Sequence, residues 1–462
     1  MEYFIEEFDG VLFPRDKELS DYRYIYFNLP KGYSYIEIEY SFEKEKGCII
    51  DIGVFDPQNI FRGWSGSSKQ KIYIIETSAT PGYIAGEINS GIWTIILGLA
   101  KVANSGCRYR VVIKAYRYRE DISNNQRCLC KEKSRRSING KWVKGDLHIH
   151  TIHSDGKDSL CEVVNKALNL GLDYIAITDH NTISQLYEIE TLNCSEILVI
   201  PGIEISTYYG HINAWGVKWF DFRRKSFDDF KNLVNEISQE GFIVSLNHPF
   251  NFDENCIGCD FRYKGLRGFN SIEIWNGPTP TSWNMYAVVW WHKLLSEGLT
   301  ISAVGGSDYH GGDGVELATP TTWIYTNNFS VEGVLQGIKK GKTFVSKYPS
   351  GPILDIKIYQ NGEQYTIGDR IKGGKARIVL DVEIDNNTSS RYGDIMLRLI
   401  SCNGILKVFS IKERLSRFEE VINIDSRSKF IRTEIGCYKD PYSLEPNNVD
   451  ELLALSSPIY IS

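Results

Sequence analysis

Over residues 1 to about 120, apolar positions fall in short runs rather than in helical periodicity. IYFNLP, SYIEIEYSF, CIIDIGVF, KIYIIET, GIWTIILGLA and YRVVIKAYRY are separated by Gly, Pro, Asn and Ser. Runs rich in β-branched and aromatic residues, bounded by turn formers, predict strands. No convincing amphipathic helix interrupts them, so an all-β sandwich is the simplest architecture for 1–120. Residues 121–141 are polar and charged, with a basic run, and predict a linker.

From 142 the pattern changes to strands alternating with helices. GDLHIH predicts a strand. Ser159-x-x-Glu162 is a capping box that starts a helix carrying Val163, Val164, Ala167, Leu168 and Leu170. YIAITDH predicts a strand buried on both faces, followed by ILVIPGIEIS and HINAWGV. Ser226 caps a helix with Phe227, Phe230, Leu233, Val234 and Ile237 on one face. FIVSLNHPF, SIEIWNG, a helix over about 283–297, TISAVGGSDYH, TTWIYT, a helix from Ser330 to about Lys340 and TFVSK complete the region. This alternation implies a parallel α/β sheet or barrel over 142–348. From 349 the chain returns to β-type runs (LDIKIYQNG, ARIVLDVEI, IMLRLIS, FIRTEIG, SPIYIS), which predict a second β-sandwich over 349–462.

Composition adds limits. A chain of 462 residues is too long for one ordinary core and suggests about three domains. Its net charge of −6 argues against a protein that coats nucleic acid. No run approaches the roughly 18 apolar residues that span a bilayer, and the opening MEYFIEEFDG lacks the pattern of a signal peptide. The ten Cys form no disulfide-like framework, so a reducing, cytoplasmic setting is expected. Cys128/Cys130 and Cys256/Cys259 are close pairs, but a lone C-x-x-C lacks a second ligand pair, and ordinary reduced thiols are expected.

All eight His lie between 148 and 310. His148-x-His150 ends a strand, and period-two alternation points both imidazoles the same way. Asp155 follows in a loop able to fold back. His180 ends the next strand, Glu204 sits in IEIS, His211 heads HINAWGV and His248 ends FIVSLNHPF. Asp308-x-His310 ends the last such strand. In parallel α/β folds the C-terminal strand ends converge on the site. Nine imidazoles and carboxylates gathered there repel or demand desolvation unless a cation joins them. Nine ligands exceed the four of a single zinc, so two or three divalent ions are expected (Mn, Zn or Fe), with Glu204 the bridging carboxylate. His153 is a candidate acid. His292, mid-helix, reads as packing or surface, and Asp179 as a residue that orients a ligand.

These residues resemble the family of polymerase-and-histidinol-phosphatase (PHP) domains. DLHIHTIHSDG, AITDH, PGIEIS, LNHPF and GGSDYHG resemble its five motifs in order over about 142–348. The resemblance implies a distorted (β/α)7 barrel, flanked here by the two β-sandwich domains, with a trinuclear metal site. It implies His148, His150, Asp155, His180, Glu204, His211, His248, Asp308 and His310 as the ligands. IDIGVFDPQNIFRGWSG, TSATPGYIAGEINSGIWTIILG and FIRTEIG with SSPIYIS resemble the carbaryl-hydrolase-like branch.

The expected reaction is hydrolysis by a metal-bound hydroxide, with Glu204, His153 and His211 as catalytic candidates. The loop 250–270 carries Arg262, Lys264 and Arg267, candidates for clamping a phosphate, and Asn276 lies within reach. Arg62 and Trp64 are candidate contacts from the N-terminal region. A phosphoesterase acting on a small phosphorylated substrate leads. A carboxylic or carbamate ester hydrolase and a non-catalytic metal-bearing binding protein are the alternatives. A cationic surround favours the first and an apolar pocket the second.

Overall fold

The alternation of the first region becomes eight strands in the computed structural model, which describes residues 3–118, 141–192, 194–312 and 315–462. They are β1 (Tyr3–Leu12), β2 (Tyr22–Leu29), β3 (Tyr35–Phe42), β4 (Ile49–Phe55), β5 (Phe61–Gly66), β6 (Lys71–Ile75), β7 (Gly91–Lys101) and β8 (Cys107–Tyr116). A short helix, α1 (Pro14–Leu19), stands between the first two. Two four-stranded sheets, ordered β1-β8-β3-β6 and β2-β7-β4-β5, share one buried cluster that includes Ile36, Ile38, Ile52, Ile95, Leu97 and Ile113. Every strand but β5 gives one face to it, as the period of two dictates, whereas β5 sends Phe61 and Trp64 into the core of the central region. The expected linker lies almost wholly outside the described residues, as do Cys128 and Cys130.

The central region holds β9 (Lys141–Asp146), β10 (Tyr174–Ile177), β11 (Leu198–Thr207), β12 (Gly210–Trp215), β13 (Ile243–Leu246), β14 (Ser271–Asn276), β15 (Ser302–Gly306), β16 (Thr321–Thr326) and β17 (Thr343–Ser346). The helices are α2 (Leu160–Asn169), α3 (Ser184–Thr191), α4 (Phe227–Gln239), α5 (Thr281–Ser296) and α6 (Val331–Lys339). Ser159, Ser226 and Ser330 each accept a backbone N–H at the helix start, as their spacing predicts. The apolar stripe of α4 packs inward through Phe230, Leu233, Val234 and Ile237, while Phe227 stays exposed.

The C-terminal region holds β18 (Ile353–Gln360), β19 (Glu363–Tyr365), β20 (Arg370–Ile371), β21 (Gly374–Glu383), β22 (Ile395–Ser401), β23 (Gly404–Ile411), β24 (Leu415–Ile424), β25 (Phe430–Tyr438), β26 (Val449–Ser456) and β27 (Ile459–Ile461). A short helix, α7 (Asn386–Arg391), precedes β22. No helix among the described residues is long and apolar enough to cross a membrane.

Topology corrects the expected barrel. One open path runs β15-β14-β13-β12-β11-β10-β9-β16-β17-β26-β25-β22-β23, and the described strands form no closed barrel. It is also mixed. β9, β10 and β11 are parallel, but β11 and β12 are antiparallel. Only Tyr208 and Tyr209 separate those two strands, and two residues allow a hairpin but no crossover. At the β15 edge, hydroxyls take the place of a backbone ladder. Thr322 Oγ1 accepts from Gly305 N at 2.8 Å and donates to Gly305 O at 2.7 Å. Thr343 Oγ1 donates to Ala303 O at 2.7 Å, and Ser457 Oγ accepts from Ala303 N at 2.8 Å.

The C-terminal strands do not form a sheet pair apart from the centre. β17 pairs with β26, so β26, β25, β22 and β23 continue the central sheet. Their other face meets the sheet β19-β18-β21-β24 across a cluster that also takes Trp323 and Phe344. Within this region Glu434 is buried between Arg398 and Arg432, with Arg432 Nη1 2.5 Å from Glu434 Oε1.

Candidate metal centre

The chain just past β9 delivers the first pair. His148 and His150 face one side, while Ile149 between them packs into the α2 core. Both imidazole Nε2 atoms reach the same two carboxylates. They lie 3.3 and 3.4 Å from Glu204 Oε2, and 3.4 and 3.0 Å from Asp308 Oδ1. Asp155 does fold back, its Oδ1 lying 3.7 Å from His180 Nε2 and 3.3 Å from His310 Nε2.

Glu204, in β11, is the hub. Besides His148 and His150, its oxygens lie 2.9 Å from His180 Nδ1 and 3.3 Å from both His211 Nδ1 and His248 Nε2. Asn247 Nδ2 donates to Glu204 Oε1 at 2.7 Å, which fixes the carboxylate plane. All nine expected ligands therefore converge. Their donor atoms fall into compact groups, among them His148–His150–Asp308 and His150–Asp155–His180–His310. His248 and Asp308 hold positive φ, 22° and 53°. Such backbone costs roughly 1–3 kcal/mol per residue and persists only where the surroundings over-determine it.

Hydrogen bonds fix which imidazole nitrogen faces the centre. His148 Nδ1 donates to Glu273 Oε1 at 3.0 Å, and His211 Nε2 to the Ile257 carbonyl at 3.1 Å. His248 Nδ1 donates to the Cys259 carbonyl at 3.3 Å, and His310 Nδ1 to the Asp308 carbonyl at 2.7 Å. Each ring spends one N–H on a fixed oxygen and turns its other nitrogen inward, the arrangement of metal-ligating histidines.

The fit to a cation is direct. His148 Nε2, both nitrogens of His150 and Glu204 Oε2 are buried and carry no hydrogen bond. Buried polar atoms left so are rare and costly. A divalent cation would satisfy His148 Nε2, one nitrogen of His150 and Glu204 Oε2 together, and imidazole with carboxylate is a suitable donor set for Zn, Fe or Mn. Electrostatics agree. Burial works against the charge on Glu204, yet His148, His180 and His211 hold its carboxyl well below the usual range. Asp308 is likewise held low by His148 and His150 against burial. Burial, with His310 and His180 beside it, pushes His150 down to about 4, leaving a neutral ring with one nitrogen lone pair to offer.

Sequence reasoning missed the residues that hold the ligands. Glu273, in β14, accepts from His148 with one oxygen and from His248 N, at 3.0 Å, with the other. Asp146 Oδ1 accepts from His148 N at 3.1 Å and Ser307 N at 3.0 Å, tying the first motif to the last. A carboxylate in an apolar strand such as SIEIWN was the available signal. Asp179, expected to orient a ligand, instead accepts from Thr151 N, Thr151 Oγ1 and Ser154 Oγ at 2.8, 2.8 and 2.7 Å, bracing the loop after His150.

The centre opens into a cleft of about 440 Å³. One wall carries Asp155, His180, Glu204, His211, His248, Asp308 and His310. The other comes from the N-terminal sheets, through Ile49, Asp51, Trp64 and Ser65–Ser68, with Tyr22 and Ala100. Trp64 thus lines the cleft. Arg62 does not, since its guanidinium donates to the carbonyls of Ile84, Gly86 and Glu87.

Other candidates fall elsewhere. Lys264 Nζ donates to the carbonyls of Pro249 and Phe261 and pairs with Asp260 at 2.7 Å. Arg267 pairs with Glu297 at 3.1 Å, and Arg262 stacks over Tyr209 beside a neighbouring surface pocket. These cations are taken up by carbonyls, acids and a ring of the loop and its neighbours. Asn276 contacts Asp308 Oδ2 at 3.2 Å and so positions a ligand rather than lining the cleft. His153 is buried with Nδ1 2.7 Å from Ser184 Oγ and Nε2 3.0 Å from Glu188, outside the cleft lining. The two nitrogens of His211 face the Ile257 carbonyl and Glu204 Oε1. His292 packs beside Phe430 and Arg432. Contrary to the expected reduced thiols, Cys256 and Cys259 are joined as a disulfide, and Cys161 and Cys194 are also disulfide-bonded.

Residues 146–264 match the PHP domain. That stretch contains the first four motifs and stops short of Asp308 and His310, which the fold brings to the same centre. A phosphoribosyl 1,2-cyclic phosphate 1,2-diphosphodiesterase of Eggerthella lenta is 36% identical over 64 residues, 14% of this chain and 24% of the relative. A 5'-3' exoribonuclease of Haemophilus influenzae is 41% identical over 66 residues, again 14% and 24%. The chain thus spans about a quarter of the length of these curated relatives. Among solved structures, a two-domain Bacteroides vulgatus protein containing a predicted PHP-like metal-dependent phosphoesterase aligns over 71% of this chain and 100% of its own, at 16% identity and a TM-score of 0.37.

Proposed function

We propose that this protein is a metal-dependent hydrolase, acting as a phosphoesterase on a small phosphorylated molecule. The observation that carries it is the Glu204 hub, ringed by five imidazoles and open to the cleft. The nine ligands suit two or three divalent ions. Such ions supply Lewis-acid polarisation of the scissile ester and activation of water. The chain's own residues do the rest. Glu204, within reach of five imidazoles, would be the residue that holds the cations in common. Glu273, Asn247 and Asp146 fix the ligands, so little reorganisation is needed during reaction. The N-terminal wall, with Trp64 and Asp51, covers the cleft and limits the access of water. The names of both curated relatives denote phosphoester chemistry, and the match to the PHP domain makes that chemistry the first choice.

A second reading, hydrolysis of a carboxylic or carbamate ester, draws on the cleft itself. Among its described lining residues there is no Lys or Arg, and Tyr22, Ile49, Trp64 and Ala100 make part of it apolar. The carbaryl-hydrolase-like branch rests on the motifs of the flanking regions; the two sheets around one core support a β-sandwich reading of 1–120, while the strands of 349–462 share their sheet with the central region. The test is a screen of the metal-quantified protein against phosphomonoesters, phosphodiesters and carboxylic esters. Turnover of phosphoesters that is lost in Glu204→Gln supports the first reading. Turnover of carboxylic esters alone replaces it with the second.

A further inference from the structure

The loop between β13 and β14 brings sulfur to the metal centre. Cys256 and Cys259 line the same cleft as His211 and His248. Cys259 is buried, and its Sγ lies 3.9 Å from His211 Nδ1. The same loop takes up the outward nitrogens of both imidazoles, through the carbonyls of Ile257 and Cys259. One nitrogen of each imidazole and Cys259 Sγ lie within 4.8 Å of one another. Glu204 Oε1 is 3.3 Å from each of those two nitrogens.

Four donors on a tetrahedron, with bonds of about 2.0–2.3 Å to a zinc-like ion, stand about 3.3–3.8 Å apart. The separations of 3.3, 3.3 and 3.9 Å are close to that spacing. Two nitrogens, one oxygen and one sulfur suit a borderline-soft cation, for which thiolate is a preferred ligand. A disulfide sulfur carries no such charge. Nor is stapling a sufficient reason for this pair, since a disulfide across a sequence separation of 3 closes too small a loop to constrain the unfolded chain much.

We propose that Cys259, as a thiolate, is the fourth ligand of a cation held by His211, His248 and Glu204, and that the Cys256–Cys259 disulfide is the form that withholds it. This rests on the metal-centre reading above. The conversion needs a dithiol. Its two S–H bonds give up two electrons and two protons, and its sulfurs join as a disulfide. The Cys256–Cys259 bond breaks and two thiols form. Cys259 then releases its proton to solvent as its sulfur binds the cation, and Cys256 stays a thiol. With three protein ligands the position stays open to water or substrate; with the thiolate it is closed. Reduction therefore tightens this cation and slows turnover.

The test uses the full chain loaded with cobalt(II), read by optical absorption before and after dithiothreitol. Far-UV circular dichroism checks the fold. In the oxidised protein the visible cobalt bands are expected without a thiolate-to-cobalt charge-transfer band in the near ultraviolet. Reduction is expected to add that band and to tighten cobalt about tenfold or more against a competing chelator. Cys256→Ser is expected to show the band with no reductant, which removes the dithiol as its source. Cys259→Ser is expected to bind cobalt but never show it. Cobalt bound by reduced wild type without the band overturns the proposal and leaves the metal centre standing, as does a band that persists in Cys259→Ser. Absence of cobalt binding in every form overturns the metal centre itself.

Discussion

Glu273 offers a sharp test of how the centre is held together. Its two oxygens each face an N–H donor, His148 Nδ1 on one side and His248 N on the other, both at 3.0 Å. Asn276 Nδ2 donates to the second oxygen at 3.3 Å. Glu273→Gln keeps the shape and replaces one acceptor with an NH2 donor. If the amide oxygen serves His148, the NH2 opposes His248 N and Asn276; if it turns, His148 loses its acceptor. Either way one buried charge-assisted hydrogen bond is lost, at about 1.5–3 kcal/mol. Loss of a residue that orients a ligand typically lowers metal affinity 10–100-fold, or about 1.4–2.8 kcal/mol. The two routes agree, so metal bound at His148 and His248 should weaken between ten- and a hundredfold. The assay is chelator competition on wild type and variant, with thermal melting as the check on the fold. Affinity unchanged within about twofold in a folded variant refutes this reasoning.

Stability in acid should report on Glu434. Burial works to raise its pKa, but Arg398 and Arg432 overrule that and hold it at about 2, below the ordinary 4.5. The folded value is the lower one, so the contribution is complete above 4.5 and is lost as pH falls toward 2; its size is about 3 kcal/mol. Glu434→Gln also leaves two buried guanidinium groups short of a charge partner, a loss of about 3–5 kcal/mol near neutrality. The gap in urea stability between wild type and variant should shrink below pH 4.5, and a gap that does not change with pH counts against the pairing. Lys264→Ala and Arg267→Ala should leave kcat/KM within about twofold, because both side chains serve their own loop and Glu297; a tenfold loss, about 1.4 kcal/mol, restores the phosphate clamp.

The pairs of candidate ligands were legible because their geometry is local. H-x-H and D-x-H at strand ends need only the period of two to face together, and helix starts at Ser159, Ser226 and Ser330 need only one turn of backbone. What joins distant segments was not legible. Glu273 meets His148 across 125 residues and Asp146 meets Ser307 across 161, contacts that no local pattern encodes. The cleft wall from the N-terminal sheets is of the same kind. The basic loop misled because charge in sequence does not say which oxygens lie nearest; Lys264 finds the carbonyls of Pro249 and Phe261 first. The closed barrel failed at two places. The two-residue turn after β11 forces a hairpin, and the β15 edge is satisfied by Thr322, Thr343 and Ser457 rather than by a backbone ladder. In FIRTEIG, Arg432 and Glu434 alternate as solvent-facing residues should, yet both are buried, because the sheet continues past the expected boundary and α5 covers that face.

Metal content per chain, measured by elemental analysis on wild type and on Glu204→Gln purified side by side, tests the central claim most directly. The hub predicts divalent metal in wild type and the loss of at least one ion in the variant, with circular dichroism unchanged. Equal metal content in the two proteins, or a wild type that binds none when supplied with Mn, Zn or Fe, contradicts it.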